Sequence, residues 1–394
     1  MITILAMIFV LGILVFVHEL GHFLAARSIG VRVERFSLGY PPRFISFTPT
    51  SKGLLFRLFF YKIGKSGKLQ WEPILEKIIT SPRSKYSETE YCLALVPLGG
   101  YVKVAGYVDE SLEAEITGAP DELNSKNRIQ QIWFMSAGVI MNILLSIIFF
   151  TGITMYSGIA ENTGEPVVQE ITQGFPAENA GIQEGDRIIS INATTINEWA
   201  DLTEIIHNSP NKKITIVWER KNKILSAELI PKEGTIPDDE GIKNVGLIGI
   251  AGGYDVRKAT FFESISSGFN RTVYWFKMIV KSLSMIGSGE ASMKDIGGPI
   301  MIAQLAGESA RAGMIALLSF TAIISINLAF INILPIPGLD GGHILLVSLE
   351  GIARRNFSLK VRMAIQQTGM ALLLLLIIIA LYNDLSRLFT NKLS

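Results

Sequence analysis

His18-Glu19-Leu20-Gly21-His22 is the run in this chain best equipped for chemistry. Histidines four residues apart stand on one face of an α-helix, one turn above the other, so both imidazoles can reach a single metal ion. The glutamate beside the first histidine can reach a water in the open coordination position of that metal. It would take the proton of the water as general base and pass it to a leaving amine. Zinc lowers the pKa of such a water from 15.7 towards ~7, which gives hydroxide at neutral pH. A catalytic zinc takes three protein ligands and keeps one position open. The chain has only four histidines, His18, His22, His207 and His343, and one cysteine, Cys92, so neither an intramolecular disulfide nor a thiolate zinc site is available. The third ligand must come from a histidine or a carboxylate. Asp340 and His343 are both candidates, since both close the segment Asn332-Ile-Leu-Pro-Ile-Pro-Gly-Leu-Asp-Gly-Gly-His343. Its prolines and glycines break a helix, and irregular backbone at membrane depth is tolerated only inside protein or along a cavity.

These groups are carried by apolar stretches. The first runs from Met1 to about Ala26, broken only by the histidine motif. The others contain no charged residue between Arg128 and Glu161, between Arg311 and Asp340, and between Arg362 and Asp384. Each exceeds the ~20 residues that an α-helix needs to cross the hydrocarbon core, which predicts transmembrane helices over 1–26, 129–160, 311–340 and 363–383. Ionisable groups at a bilayer centre cost about 2.5–3.5 kcal/mol each, so two histidines and a glutamate in one turn call for a compensating partner, and a metal supplies one. The first stretch lacks the basic start of a signal peptide, and cleavage there would discard the motif. Composition agrees with a membrane core plus a water-soluble part: 49% hydrophobic and only 18% charged residues, with a mean hydropathy of +0.37. The net charge of +1 provides no field to attract nucleic acid.

Lys and Arg near the spans predict the orientation. Arg27, Arg32, Arg35 and Arg43 follow the first span, Lys126 and Arg128 precede the second, and Arg354, Arg355, Lys360 and Arg362 lie between the third and fourth, whereas 161–180 holds neither residue type. Residues 27–128 and 341–362 are therefore expected to be cytoplasmic loops, and 161–310 to lie outside. Within the outer segment, Pro166–Ile171 alternates like a strand, glycines 181 and 185 mark turns, Arg187–Ile191 and Lys213–Glu219 read as strands, and Trp199–His207 as a short helix. With the run Ala180-Gly-Ile-Gln-Glu-Gly-Asp-Arg-Ile188, residues 161–235 resemble a PDZ domain, a module that binds extended peptides by adding a strand to a sheet edge. Residues 236–310 are expected to be a linker with an amphipathic helix on Phe262, Ile265, Phe269, Val273, Phe276, Val280 and Leu283, packed on the PDZ domain or lying at the membrane surface.

Taken together, His18-Glu-Leu-Gly-His22, Pro97-Leu-Gly-Gly-Tyr-Val-Lys103, Gly138-x-x-x-Asn142, Gly297-Gly-Pro-Ile300 and the Asn332–His343 segment resemble the site-2 protease family, in its bacterial regulator of sigma-E protease group. The resemblance covers nearly the whole chain. It implies a multi-pass α-helical membrane protein of four transmembrane helices, with a membrane-embedded β-hairpin around 92–106 and an inserted α+β PDZ domain. It implies Zn2+ on His18, His22 and Asp340, Glu19 as the catalytic base, and His343 left to start the next helix. Asn142, Asn327 and Asn332 match polar residues of the substrate site, and Gly99, Gly100 and Tyr101 lie on a hairpin edge offered to substrate. The implied partners are the lipid bilayer of a bacterial inner membrane and single-pass membrane-protein substrates, already trimmed by another protease. The physics fits that role, because a helical substrate must unwind in a place without bulk water and its freed peptide groups then need partners. The chain departs from the enterobacterial members in having one PDZ domain, and its basic 48–90 segment, with Lys52, Arg57, Lys62, Lys65, Lys68, Lys77, Arg83 and Lys85, has no counterpart in this reading. A competing reading is an inactive PDZ-bearing adaptor on the same scaffold; loss of Glu19 or a ligand would favour it, and all are present.

Overall fold

The first apolar stretch forms α1 (Ile2–Ser28), whose buried stripe Ala6, Val10, Leu14, His18 and His22 recurs every four residues. The opposite side carries Ile4, Leu5, Phe9 and Leu24, all exposed. Apolar side chains thus line both faces, as a helix between protein and lipid requires. These features belong to a computed structural model in which residues 1–63, 69–80, 87–107, 117–162, 164–238, 241–252, 254–289 and 297–390 are described.

Next come β1 (Val33–Thr50), β2 (Gly53–Ile63), β3 (Leu69–Ile79) and β4 (Glu90–Val104), one sheet in the order β3-β2-β1-β4. The segment of the expected hairpin around 92–106 pairs with β1. Arg35–Leu38 of β1 pairs with Lys103–Gly100 and also with Glu90–Leu93, while Arg43–Phe47 pairs with Ala94–Tyr91. The first limb of β1 therefore lies between the two limbs of β4, and Gly100–Val104 becomes an outer limb. Glu90 ties the layers together, accepting from Arg35 Nε at 2.8 Å and Arg43 Nη1 at 3.1 Å, while Arg35 also donates to the Tyr101 hydroxyl at 3.1 Å. The 48–90 segment supplies β2 and β3, rich in the aromatic and branched side chains that suit a pleated surface; its Lys65, Lys68, Arg83 and Lys85 lie outside the described residues.

The second span is α2 (Arg128–Ser157). It leads into β5 (Ile159–Asn162), β6 (Val168–Ile171), α3 (Pro176–Asn179), β7 (Arg187–Ile191), β8 (Thr194–Thr195), α4 (Trp199–His207), β9 (Ile214–Arg220), β10 (Lys223–Leu229), β11 (Lys232–Asp238), β12 (Gly241–Leu247), β13 (Ile250–Gly252) and β14 (Tyr254–Arg257). Thr154–Phe261 forms one unit, and Met1–Ile153 with Phe262–Ser394 the other. The smaller unit extends beyond the expected boundary at 235, because β6 takes its partner from β13, with Ile171 opposite Ile250, and β5 takes its partner from β14. A strand cannot close a core without a neighbour for its edge, so 232–257 is part of this unit rather than a linker. Its interior is Ile188, Ile191, Leu202, Ile206, Ile214, Ile216 and Trp218.

The chain then returns as α5 (Phe261–Ser288), α6 (Pro299–Ala312), α7 (Met314–Ile333), α8 (Asp340–Ala353) and α9 (Leu359–Thr390). The amphipathic helix exists as α5, and its buried residues are small ones outside the predicted stripe. Ser264, Gly268 and Thr272 are its buried residues, while Phe262, Phe269, Val280 and Leu283 are exposed. Small residues let the backbone of α5 approach α2, where Thr272 lies 3.2 Å from Ser146; Phe276 of the predicted stripe packs on Phe330 of α7, with ring centroids 5.7 Å apart, while Phe262, Phe269, Val280 and Leu283 face outward, as lipid permits. The 341–362 loop is also corrected. Pro335 and Pro337 end α7, and a new half-buried helix, α8, begins at Asp340. The carboxylate of Glu350, near the end of α8, is fully buried and accepts from Arg128 Nη1 at 2.9 Å, from Arg362 Nη2 at 2.8 Å and from Phe357 N at 2.8 Å, clamping α2, α8 and α9 together. Asp384 of α9 accepts from the amides of Gly298, Ile300 and Met301. It thereby caps α6, where a carboxylate complements the free N–H groups and the dipole, and the Gly297-Gly-Pro-Ile300 segment fits against α9. Among the described residues, four helices are long and apolar enough to cross a membrane, Ile2–Ser28, Arg128–Ser157, Met314–Ile333 and Lys360–Arg387. The protein is a membrane protein with a separate β-rich unit.

Candidate active site

The helical period of α1 brings His18 and His22 onto one inward face, and the Pro/Gly break after α7 lets the start of α8 fold back onto it. Their Nε2 atoms are 3.2 Å apart, and Asp340 Oδ2 lies 3.3 Å from His18 Nε2 and 3.4 Å from His22 Nε2. The three form the one candidate metal-holding group among the described residues. Zinc–nitrogen and zinc–oxygen bonds of ~2.0–2.2 Å at tetrahedral angles place ligand atoms about 3.3 Å apart, so the triangle fits the ion. The chemistry of the donors agrees. Three electron-pair donors converge in a buried place, and Asp340 Oδ2 has no hydrogen-bond partner of its own; a cation resolves both facts. On its far side, the His22 ring donates from Nδ1 to Phe134 O at 2.9 Å, which leaves Nε2 free for a metal. Asn142 stands 3.2 Å from His18 Nδ1.

Glu19, the next residue on α1, faces the outer limb of β4, where a Cβ added at Gly100 would stand 3.5 Å from its Cγ. A cavity of about 300 Å³ opens here, lined by His18, Glu19, His22, Gly99, Gly100, Tyr101, Asn332, Asp340 and His343 among others. Of the residues singled out from the sequence, Asn142 and Asn327 are absent from that lining. Asn142 is fully buried against His18, so it is not in reach of substrate, and Asn327 is half-buried on α7. His343 points its ring at Tyr107, with centroids 5.2 Å apart, rather than joining the triangle.

Other residues contribute to the site. Tyr107, Val102 and Gln366 line the cavity. The polar run Gln366-Gln-Thr368 inside an apolar span was the available signal for Gln366. Gly138, marked in the sequence only as part of Gly138-x-x-x-Asn142, has a steric role that spacing did not assign. A Cβ there would stand 2.5 Å from both His18 Cε1 and His22 Nε2, so α2 approaches the imidazoles this closely only because the residue is glycine. The Gly138-x-x-x-Asn142 spacing marks the face of α2 that meets them.

The family model for peptidase family M50 matches residues 6–72 and 74–376. A Clostridium perfringens protein whose name marks it as a candidate zinc metalloprotease is 32% identical over 373 residues, covering 94% of this chain and 95% of its own. The regulator of sigma-W protease RasP of Bacillus subtilis is 28% identical over 425 residues, covering 98% and 99%. Among solved structures, the PDZ domain of the SdrC-like protein from Listeria monocytogenes is 19% identical, with a TM-score of 0.18, covering 24% of this chain and 92% of that one. With the match running through nearly all of the larger unit, the chain belongs to peptidase family M50, the site-2 proteases, and is a zinc metalloprotease.

Proposed function

We propose that this protease hydrolyses peptide bonds within the transmembrane segments of single-pass membrane proteins, at a site held by His18, His22 and Asp340 with Glu19 as the general base. The observation that carries the reading is the convergence of these four residues on one cavity whose wall is a strand edge. Zinc bound there supplies Lewis acidity and makes water a nucleophile at neutral pH. Glu19 takes the proton of the attacking water and gives it to the nitrogen of the leaving strand, so that one N–H and one carboxyl group result. The Phe134 carbonyl holds the His22 ring. An unwound substrate lies along Gly100–Val102 as an added strand, where peptide groups that left their own helix find partners away from water. Gly100 keeps this edge close to α1, since a Cβ there would meet Val15 Cγ1 at 3.0 Å and Ser37 O at 2.7 Å. Asn332, on the opposite wall, offers an amide to the same backbone.

The smaller unit acts as a peptide-binding PDZ module. Trp199, Leu202 and Ile206 of α4 face Leu247–Ile250 across a groove of about 370 Å³, where an extended peptide would add as a strand. In this reading the unit lies outside a bacterial inner membrane, and Lys- and Arg-bearing 27–128 and 341–362 lie in the cytoplasm. Glu19→Gln tests the chemistry. In the full chain reconstituted with a model transmembrane peptide, zinc content should stay at the wild-type level while cleavage falls by ~10²–10⁴-fold or more. Turnover within tenfold of wild type would remove Glu19 as the base, and an inactive wild-type protein that still binds peptide would favour the adaptor reading.

A further inference from the structure

Phe134, Gly138 and Asn142 recur at intervals of four on α2 and meet His18 and His22 of α1. Gly138 gives the rings room, and the Phe134 carbonyl takes the Nδ1 proton of His22 at 2.9 Å. Asn142 completes the row. It is fully buried, its backbone carbonyl accepts from Ser325 Oγ at 2.7 Å, its Nδ2 lies 3.2 Å from His18 Nδ1, and its Oδ1 has no hydrogen-bond partner. A neutral imidazole carries one proton. If Nε2 offers its lone pair to a metal, the proton sits on Nδ1, and that nitrogen donates. An amide NH2 turned towards it would set donor against donor in a dry site. A half-turn of the amide exchanges its oxygen and nitrogen within the same space. That setting puts Oδ1 on Nδ1 and takes the oxygen out of its unpartnered position.

We propose that Asn142 is a positioning residue. Its amide oxygen accepts from His18 Nδ1–H, fixing the tautomer whose Nε2 faces His22 and Asp340 and locking the ring angle. The two metal-facing histidines are then held alike, one by a main-chain carbonyl and one by a side-chain carbonyl, both from the same face of α2. Ser325 anchors the Asn142 turn from α7, the helix that leads to Asp340. The proposal rests on the reading of His18 as a metal ligand, and Asn142 touches neither substrate nor the reacting water.

Zinc affinity, measured by chelator competition on the purified full chain, tests it with three variants. Asn142→Asp keeps an acceptor and loses the donor; Asn142→Leu loses both in a similar volume; His18→Ala reports on the ligand itself. Asn142→Leu should weaken zinc by ~10–100-fold and Asn142→Asp by less than about tenfold. Equal weakening by both substitutions, or wild-type affinity in Asn142→Leu, overturns the proposal. An unchanged affinity in His18→Ala would instead sink the ligand reading, so the two failures are separable. Nitrogen NMR of the wild-type protein with isotope-labelled histidine gives a readout that needs no variant at position 142. With zinc bound, the His18 signals, assigned by their loss in His18→Ala, should show a protonated Nδ1, and a proton on Nε2 would refute the assignment.

Discussion

A methyl group at position 138 would stand 2.5 Å from His18 Cε1 and His22 Nε2, and 2.7 Å from His18 Nε2. Non-bonded heavy atoms settle at ~3.5–4.0 Å, so Gly138→Ala must move the imidazoles, or α2, by about 1 Å. Metal–ligand distances tolerate only about 0.2 Å, and both histidines are affected at once. Overpacking of this kind costs ~1–3 kcal/mol of fold stability. Replacing a helical glycine by alanine returns ~0.5–1 kcal/mol, so the fold should survive while the metal site does not. Zinc affinity should drop by at least ~10–100-fold, the range seen when ligand-orienting groups are lost, and proteolysis should go with it. Gly12→Ala and Gly152→Ala serve as controls, because an added Cβ meets nothing within 4 Å at either position; they gain the same helix propensity without the collision. Chelator competition, metal stoichiometry and thermal unfolding of the three purified variants decide the matter. A Gly138→Ala protein that binds zinc as tightly as the controls would refute the argument that glycine is needed for α2 to approach the site.

Asp340→Ala should lower zinc occupancy and abolish proteolysis, with Asp340→Asn nearly as damaging because a neutral amide replaces an anionic ligand; His343→Ala, whose ring packs on Tyr107 outside the triangle, should be mild, and the opposite order of zinc loss would reassign the third ligand. With Cys92 replaced by alanine, a single cysteine at Asn356 should react only with reagent on the cytoplasmic side and one at Asn211 only from outside; reversed labelling would invert the topology. His207 lines the groove of the smaller unit, and burial, with Lys243 nearby, holds its pKa below the ordinary 6.5. A histidine whose folded pKa is depressed stabilises the fold above pH 6.5 and loses that contribution as pH falls through its folded value. Once exchange rates are corrected for the intrinsic pH dependence of amide exchange, the protection of Ile188 and Ile216 in the full chain should therefore fall on acidification below pH 6.5, and His207→Gln should flatten the response; an unchanged pH profile in that variant would exclude His207 as its source.

What the sequence by itself determined is local or periodic. A four-residue spacing put His18 and His22 on one helix face, span lengths declared four membrane helices, and prolines 335 and 337 announced the break that ends α7. Alternation and turn glycines outlined the smaller unit, although its closing strand at 250–252 was missed, because pairing with Val168–Ile171 is set across about eighty residues. Spacing left Asp340 and His343 equally eligible. Only folding aimed the Asp340 carboxylate at both Nε2 atoms and turned His343 to Tyr107. The helix at 261–288 shows the limit most clearly. In water, the apolar stripe of a helix faces the core, but beside lipid both sides can be apolar, and periodicity loses its sense of inside and outside. There the choice fell to side-chain size: Ser264, Gly268 and Thr272 turned inward because they let two backbones touch. Gly138 and Asn142 belong to the same class. They are ordinary residues of an apolar span until α1 arrives beside them, since a close approach and a buried hydrogen bond are properties of two segments that only tertiary packing joins.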